Sequence, residues 1–349
     1  MRTQKLAIMN KFKFYFIVLI TTLSLFSCSK NDTPAEITPP KDYSEQYKVD
    51  TAVIEAYLDT HYLDMDLADE NFADKDVVIK PIPIDGSQRR IKSYEANATE
   101  GSTDFPQLWS RNVSLHGVSY KVYYLVLRQG VGQSPTNADA VLASYSGSYL
   151  QNTTATDLPS VTATLFEESK FPNQFFNLLG TIKGWGEIFP QFKTGSYDSN
   201  NDDGTVTFTD FGAGVMFIPS GLAYFQNGPG SIPSYAPLVF SFKLYEIQRL
   251  DSDGDGILNY QEDLDGDGYM YDYRNLVNYP TTPSTNPDDT DGDGIPNFVD
   301  IDDDGDNYTT KLELKKPDGT YHTFETVPSC SGQTVKRYLT ANCKPPYAE

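Results

Sequence analysis

The 349-residue sequence is short of positive charge, of cysteine and of long apolar runs. It contains 27 Lys and Arg against 48 Asp and Glu, which gives a formal net charge of −21. Because phosphate binding requires a basic surface, the sequence predicts no nucleic-acid partner. The apolar fraction of 39% still suffices for a packed core, and the length suggests about two modules. The charge is uneven, since residues 251–306 hold 17 acidic residues and one basic residue.

An apolar stretch follows a basic N-terminus. Four Lys and Arg residues precede residues 14–26, and the first 27 residues contain no acidic one. A basic region, a short apolar core and small residues are typical of an export signal, here residues 1–27. About 13 apolar-rich residues are too few for a bilayer span, which needs roughly 20. The letters LFSC at 25–28 resemble a bacterial lipobox, which implies acylation of Cys28; the alternative is an ordinary signal peptide with an incidental cysteine.

An acylated Cys28 predicts a lipid-anchored protein of the cell envelope, with the bacterial outer membrane as the expected location and the membrane side left open. Residues 28–41 are polar and Pro-rich, which is typical of a tether. The other two cysteines, Cys330 and Cys343, are separated by twelve residues in a C-terminal region, residues 314–349. In an exported protein this spacing favours a disulfide that closes a loop. A reactive pair is the alternative, although the C-x-x-C spacing is absent.

The apolar pattern changes along the exported part of the chain. Near-helical spacing over 48–63 predicts one amphipathic helix within an N-terminal region, residues 42–117, whose default role is packing or dimerisation. Short segments rich in β-branched and aromatic residues then occupy 118–248 and predict strands. These strands are Tyr120–Leu127, Ala140–Leu150, Val206–Phe208, Val215–Ile218 and Leu238–Ile247. With a short helix over 184–189 and a hairpin within 196–214, they predict an α+β module, residues 118–249.

Six segments of this module carry a recognisable order of residues. They are Ala143–Gly147, Leu165–Ser169, Phe175–Gly180, Ile182–Trp185, Ile218–Tyr224 and Ile232–Phe240. In this order they resemble the FKBP-type peptidyl-prolyl cis-trans isomerases. The resemblance implies an antiparallel sheet wrapped around a short helix. The residue patterns on either side of the module predict a small helical region before it and an irregular Asp-rich segment after it.

The resemblance also implies a shallow aromatic cup that receives an X-Pro segment. Its floor would be Trp185 and its rim Ile232, and its walls would come from Tyr145, Phe166, Phe175, Ile182, Tyr224 and Phe240. Glu167 stands where the family usually has Asp, so its longer side chain is expected to hold Tyr145 differently. Phe225 replaces the Gly that usually follows the pocket Tyr and is expected to stiffen or block the next loop.

Such a cup needs no cofactor for its chemistry. Resonance makes X-Pro isomerisation slow, and the amide is less polar when twisted, so an apolar cup favours the twisted form. The scarcity of His, with three in the chain, fits a mechanism without a nucleophile or an acid–base pair. The Tyr224 hydroxyl is the best candidate to hydrogen-bond the substrate carbonyl.

The acidic segment, residues 250–313, contains a metal-loop pattern. Residues 251–262 match the whole D-x-D-x-D-G-x5-E pattern of a calcium loop. The ligands would be Asp251, Asp253, Asp255 and Glu262, with Gly256 at the sharp turn. A second loop starts with Asp263, Asp265 and Asp267, but Arg274 takes its twelfth position, so the site is incomplete unless Asp272 substitutes.

Two further loops follow. The third has Asp289, Asp291, Asp293 and Asp300, and the fourth has Asp302, Asp304, Asp306 and Glu313, with Asn307 at the turn. Residues 300–306 could instead share ligands between neighbouring ions. The segment resembles the type 3 repeats of thrombospondin and related bacterial Asp-rich repeats, which implies structural Ca²⁺; the alternative is a solvated acidic linker. Because Arg249 and Leu250 leave almost no linker, stiffening of the chain is the expected role of the ion.

Together the patterns predict a lipid-anchored isomerase that acts on prolyl segments of exported proteins and carries a calcium-rigidified extension. One alternative is a non-catalytic surface or motility-associated lipoprotein that binds prolyl segments and calcium. Another treats the acidic segment as an adhesion or scaffold element and the cup as incidental.

Overall fold

The computed structural model describes residues 39–153, 160–201 and 204–347, so the predicted signal segment and Cys28 lie outside the described part. Within that part, no helix has the length and apolar character needed to cross a membrane. The helices are α1 (Tyr43–Thr60), α2 (Lys183–Ile188) and α3 (Thr310–Glu313). The strands are β1 (His61–Leu63), β2 (Ile79–Pro81), β3 (Gln107–Leu115), β4 (Val118–Arg128), β5 (Ala140–Asn152), β6 (Val161–Ser169), β7 (Phe176–Asn177), β8 (Ser196–Asp198), β9 (Thr207–Thr209), β10 (Gly212–Ile218) and β11 (Leu238–Gln248).

Helix α1 is the predicted N-terminal helix with different ends. It begins five residues before the predicted start because the Asp42 side chain accepts a hydrogen bond from the Glu45 amide and caps the first turn. It ends before the predicted Leu63 because residues 61–63 form β1, which pairs antiparallel with β2. Tertiary strand pairing therefore overrides the helical spacing at this end.

One large antiparallel sheet dominates the fold, which is α+β as predicted. Its strand order is β3-β4-β10-β11-β5-β6, and β7 pairs with β5. The predicted strands are all present with small changes in their ends, and β8 pairs with β9 in the predicted hairpin. The sheet also includes β3, which lies before the predicted start of the module at Val118.

Both faces of the large sheet are covered by other parts of the chain, and the N-terminal region covers one of them. Along β4, Tyr120, Val122 and Tyr124 pack in the core that contains α2, whereas Tyr123 and Leu125 pack in the core that contains α1. A strand buried on both faces has a nearly continuous apolar sequence, as this one does. The N-terminal region therefore covers the face of the sheet opposite α2.

The acidic segment is built mostly of turns and packs on the sheet module. Its own small core joins Ile257 to Leu314, Val327 and Tyr338 of the C-terminal region. Cys330 and Cys343 form a disulfide in this region, with Cα atoms 6.0 Å apart. Another apolar cluster, Ala138 with Met270 and Phe298, lies at the joint with the sheet module.

Candidate functional site

An aromatic cavity of about 470 Å³ opens beside α2. Its lining residues come from β5, the end of β6, β7, α2, the loop after β10, and β11. They are Tyr145, Glu167, Phe176, Gly180, Thr181, Ile182, Lys183, Trp185, Ala223, Tyr224 and Phe240. We call this cavity the cup. A volume of this size is typical of small-ligand sites, which are mostly apolar with a few placed polar groups.

Trp185 is the centre of the cup. Its ring meets those of Tyr145, Phe176 and Phe240 edge to face, with centroids 5.0, 5.8 and 5.3 Å away. Aromatic pairs favour this geometry because a positive ring edge meets a negative ring face. The preceding Gly184 leaves no room for a side chain, since a Cβ there would lie 2.5 Å from Ile218. This close contact holds α2 against the sheet and fixes Trp185 in the floor.

Two hydroxyls and one carboxylate make the cup polar at one side. Burial, and then the hydrogen bond and charge of Glu167, raise the pKa of Tyr145. Burial, and then the charge of Glu167, also raise the pKa of Tyr224. Both hydroxyls therefore stay protonated at neutral pH and are able to donate hydrogen bonds. The indole nitrogen of Trp185 is buried and has no hydrogen-bond partner among the described residues.

The structure brings together six of the nine residues predicted for the cup. Tyr145, Glu167, Ile182, Trp185, Tyr224 and Phe240 all line the cavity. Phe166 packs edge to face on Phe240, and Ile232 is buried in the adjoining core, but neither lines the cavity. The prediction was therefore too broad for these two residues.

Phe175 is wrongly predicted as a wall of the cup. Its side chain is 39% exposed, whereas Phe176 contacts Tyr145 and Trp185. Phe175 directly precedes β7, and successive side chains of an extended chain point to opposite sides, so a one-residue error exchanges the buried and the exposed residue. Because residues 175 and 176 are both phenylalanine, the sequence does not indicate which of them is buried.

Helix α1 braces the loop that carries Tyr224, which sequence reasoning missed. The buried Asp50 carboxylate accepts hydrogen bonds from the Ser220 amide at 2.7 Å and from its hydroxyl at 2.6 Å. Phe225, with φ +50°, stacks on Tyr43 of α1 with ring centroids 4.1 Å apart. A left-handed backbone is costly for a bulky residue, so this stacking helps to hold the loop in place.

The four acidic loops share one geometry. In the first, one oxygen each of Asp251, Asp253 and Asp255 accepts a backbone N–H, at 2.7, 3.2 and 2.7 Å. The turn residues have left-handed backbones, with φ +110° at Gly256 and +74° at Asn307 of the fourth loop. In each loop the first three Asp residues have oxygens within 4.8 Å of one another: Asp251, Asp253 and Asp255; Asp263, Asp265 and Asp267; Asp289, Asp291 and Asp293; and Asp302, Asp304 and Asp306.

The first loop gains a carboxylate that the sequence did not reveal. Oxygens of Asp255, Glu262 and Asp303 lie within 4.8 Å of one another, although Asp303 belongs to the fourth loop. Glu262 and Asp303 are each 1% exposed, and within the described chain both oxygens of both groups are without a hydrogen-bond partner. Burial and the neighbouring carboxylates raise the pKa of Glu262 to about 11 and that of Asp303 to about 9. Buried anions in this arrangement require protons or a cation.

Asp288 lies beside the second loop, and Asp272 does not take the role considered for it. Asp272 pairs with Arg274 at 2.6 Å. Asp288 instead lies against the loop, accepts the Leu264 amide at 2.9 Å, and is 1% exposed. Its second oxygen has no partner in the part of the chain described, and burial, with the charge of Asp263, raises its pKa to about 7. Asp288 directly precedes the third loop, so no spacing rule could assign it to the second.

The twelfth positions of the third and fourth loops lie near their own loops. Asp300 is 8% exposed, and burial followed by the charges of Asp293 and Asp291 raises its pKa. Glu313, the last residue of the acidic segment, is fully buried and has one oxygen without a partner among the described atoms. Burial raises the pKa of Glu313 to about 8, with Asp304 and Asp306 contributing.

Comparison with known proteins gives one family model and several curated relatives. A family model described as BamM C-terminal matches residues 252–337. The FKBP-type peptidyl-prolyl cis-trans isomerase FkpA of Aeromonas hydrophila is 29% identical over 166 residues, which are 46% of this chain and 52% of that protein. The peptidyl-prolyl cis-trans isomerase Mip of Coxiella burnetii is 28% identical over 137 residues, or 38% and 46% of the two chains.

Among solved structures, a peptidyl-prolyl cis-trans isomerase from Pseudomonas syringae pv. tomato aligns at 22% identity and a TM-score of 0.28, covering 45% of this chain and 90% of that one. The chain spans about half the length of the curated relatives it matches. Over somewhat less than half of its own length, it is similar to proteins named as FKBP-type peptidyl-prolyl cis-trans isomerases.

Proposed function

We propose that the chain is a peptidyl-prolyl cis-trans isomerase whose active site is the cup. The observation that carries this proposal is the group of aromatic rings around Trp185, with two protonated tyrosine hydroxyls at its edge. The named homologues support the same reaction class. The substrates would be prolyl segments of exported proteins.

The cup would act by desolvation and one hydrogen bond. A proline ring fits an apolar floor such as Trp185, and the enclosing rings keep water from the amide. Loss of water favours the twisted amide, which has lost its resonance and is less polar than the planar form. Tyr224 would donate a hydrogen bond to the substrate carbonyl, and Tyr145, held by Glu167, would shape the wall. Every 1.4 kcal/mol by which these contacts favour the twisted form gives about tenfold in rate.

The test is acceleration of cis-trans exchange in a proline-containing chromogenic tetrapeptide by the purified chain. We expect Trp185→Ala to abolish the acceleration and Tyr224→Phe to lower kcat/KM by about tenfold, because Phe keeps the ring and loses one hydrogen bond. Tyr62→Phe, on β1, is a matched control and should leave kcat/KM unchanged. An uncatalysed rate with the wild-type chain would refute the enzymatic proposal.

We further infer that the acidic loops bind structural Ca²⁺. All candidate ligands are oxygens, the chemistry that this hard cation selects. The unpartnered buried oxygens of Glu262, Asp288 and Asp303 support this assignment, because each needs a positive partner. Asp303 and Asp288 would complete the first and second sites from other loops, so ions there would tie together distant parts of the segment.

We also propose that Cys28 carries the lipid that anchors the chain to the cell envelope. The support is the order of a basic N-terminus, an apolar core and the LFSC letters. The Pro-rich tether would then separate the cup from the membrane surface.

A further inference from the structure

We propose that cation binding in the second acidic loop is coupled to ligand binding in the cup, through Tyr269, Tyr271 and the buried Glu187 of α2. The proposal rests on the proposed roles of the cup and of the acidic loops. It assigns the acidic segment a regulatory role beyond the stiffening expected from sequence.

Glu187 is the residue of α2 that the side chains of the acidic segment contact. It lies two residues after Trp185, is fully buried, and has ion pairs with Arg111 at 3.1 Å and Lys183 at 3.0 Å. The Tyr271 hydroxyl, from the acidic segment, donates to the same carboxylate at 3.1 Å. A buried carboxylate needs all of its partners, so removal of one changes the balance of charges around α2.

Tyr269 provides a second contact with α2. Its hydroxyl donates to the Glu187 carbonyl at 2.8 Å and accepts from the Gln191 side chain at 2.7 Å. The Arg111 guanidinium lies 3.4 Å above the Tyr269 ring. The acidic segment therefore contacts the backbone as well as the side chain at the C-terminal end of α2.

The second loop fixes the position of these tyrosines. The Tyr269 amide donates to the candidate ligand Asp267 at 2.7 Å. Asn137, just before β5, exchanges two hydrogen bonds with the Met270 backbone, at 2.8 and 2.9 Å, and its amide donates to the Gly268 carbonyl at 3.0 Å. The loop is thus connected to the cup through both α2 and β5.

The charge of the second loop makes this connection depend on a cation. Asp288 is 1% exposed and has an unpartnered oxygen in the described chain, and the charges of Asp263, Asp265 and Asp267 act on it. Without a cation these carboxylates repel one another, and the loop that holds Tyr269 loosens.

Helix α2 has only six residues, too few for a stable isolated helix, so it relies on packing and on these contacts. A ligand that needs an ordered cup then binds better when the loop is filled. By linkage, a prolyl ligand in the cup tightens cation binding in the loop.

The experiment measures the cup with two readouts in the full chain, titrated with calcium chloride against EGTA. Trp109 and Trp185 are the two tryptophans of the sequence, so in a Trp109→Phe background the emission reports the floor of the cup. We expect calcium to shift the Trp185 emission and to raise kcat/KM for the proline tetrapeptide by about fivefold or more.

Matched variants separate coupling from simple stability. Asp288→Asn should weaken the calcium response of both readouts, whereas Asp272→Asn, which breaks a surface ion pair, should leave it unchanged. Tyr271→Phe keeps the ring and removes the hydroxyl. It should reduce the effect of calcium on Trp185 emission and on kcat/KM, while calorimetry still measures the heat of calcium binding.

The possible outcomes distinguish the coupling, the assigned route and the enzymatic proposal from one another. Calcium binding by calorimetry without any change in Trp185 emission or in kcat/KM overturns the coupling. An emission change that requires Asp288 and Tyr271, in a chain without isomerase activity, supports the coupling and refutes only the enzymatic proposal. A Tyr271→Phe variant with the full calcium response overturns the assigned route.

Discussion

Asp303→Asn has opposite expected effects with and without calcium. Asp303 is 1% exposed, and its oxygens lie within 4.8 Å of those of Asp255 and Glu262. At an effective dielectric constant of about 20, two unit charges at this distance repel by about 3 kcal/mol. At neutral pH the cation-free wild-type segment must bear this repulsion or take up a proton, since the pKa of Asp303 is raised to about 9, and either one costs stability. The amide needs no proton, so the variant should stabilise the cation-free segment by up to about 3 kcal/mol.

With calcium the sign reverses. The Asp303 carboxylate becomes a charged ligand, and an amide oxygen replaces it with a neutral one. Because calcium affinity depends on the number of charged ligands, we expect the affinity of the first site to fall by at least about tenfold. Binding of calcium to the folded state then adds less stability to the variant than to the wild type.

Thermal unfolding of the full chain in EGTA and in calcium, with calorimetric calcium titration, measures both effects. The variant should melt at a higher temperature than the wild type in EGTA and gain less from calcium. Asp59→Asn, an exposed residue of α1, makes the same chemical change away from the loops and should shift neither melting temperature. An Asp303→Asn variant that is destabilised equally in EGTA and in calcium would refute the reasoning.

Two further predictions concern the cup and the N-terminal region. Phe176→Ala should lower kcat/KM by about tenfold because it removes two edge-to-face contacts in the cup. Phe175→Ala should change kcat/KM by less than about twofold. A larger loss at Phe175 would contradict the assignment of Phe176, rather than Phe175, to the cup. Burial lowers the pKa of His61 from its ordinary 6.5 to about 4. Between these two values the folded state binds fewer protons than the unfolded state, so the free energy of unfolding decreases as the pH falls from 6.5 towards 4. From pH 7 to pH 5 this loss is about 2 kcal/mol, which urea unfolding should detect in the wild type as an extra pH slope that is absent from His61→Gln. Equal slopes in the two proteins would be inconsistent with a neutral buried His61.

Local sequence patterns predicted a large part of the fold. The strands of the module follow from β-branched and aromatic runs, and α2 follows from the predicted short helix over 184–189. The acidic loops also follow from local rules, because alternating carboxylates and a left-handed turn residue lie within a few residues of one another. The prediction for α1 was less accurate at its ends, since a cap at Asp42 and pairing of β1 with β2 set them.

The candidate sites depended more on contacts between distant residues. Phe175 and Phe176 are chemically identical neighbours, and only the pairing of β7 with β5 decides which one faces the cup. Asp50 reaches Ser220 across 170 positions of sequence, and its role in bracing the Tyr224 loop has no local signal.

By itself, the sequence determined the order of the cup residues and the repeated acidic loops, and it predicts an export signal before them, because each depends on residue type and short spacing. Only the tertiary structure decided that Asp303 lies beside the first loop, that Asp288 lies beside the second, and that Tyr271 meets Glu187 beneath the cup. These partners are far apart along the chain, and packing of the acidic segment on the sheet module brings them together. Each carboxylate needs a positive partner because it is buried, and no local sequence pattern indicates that burial.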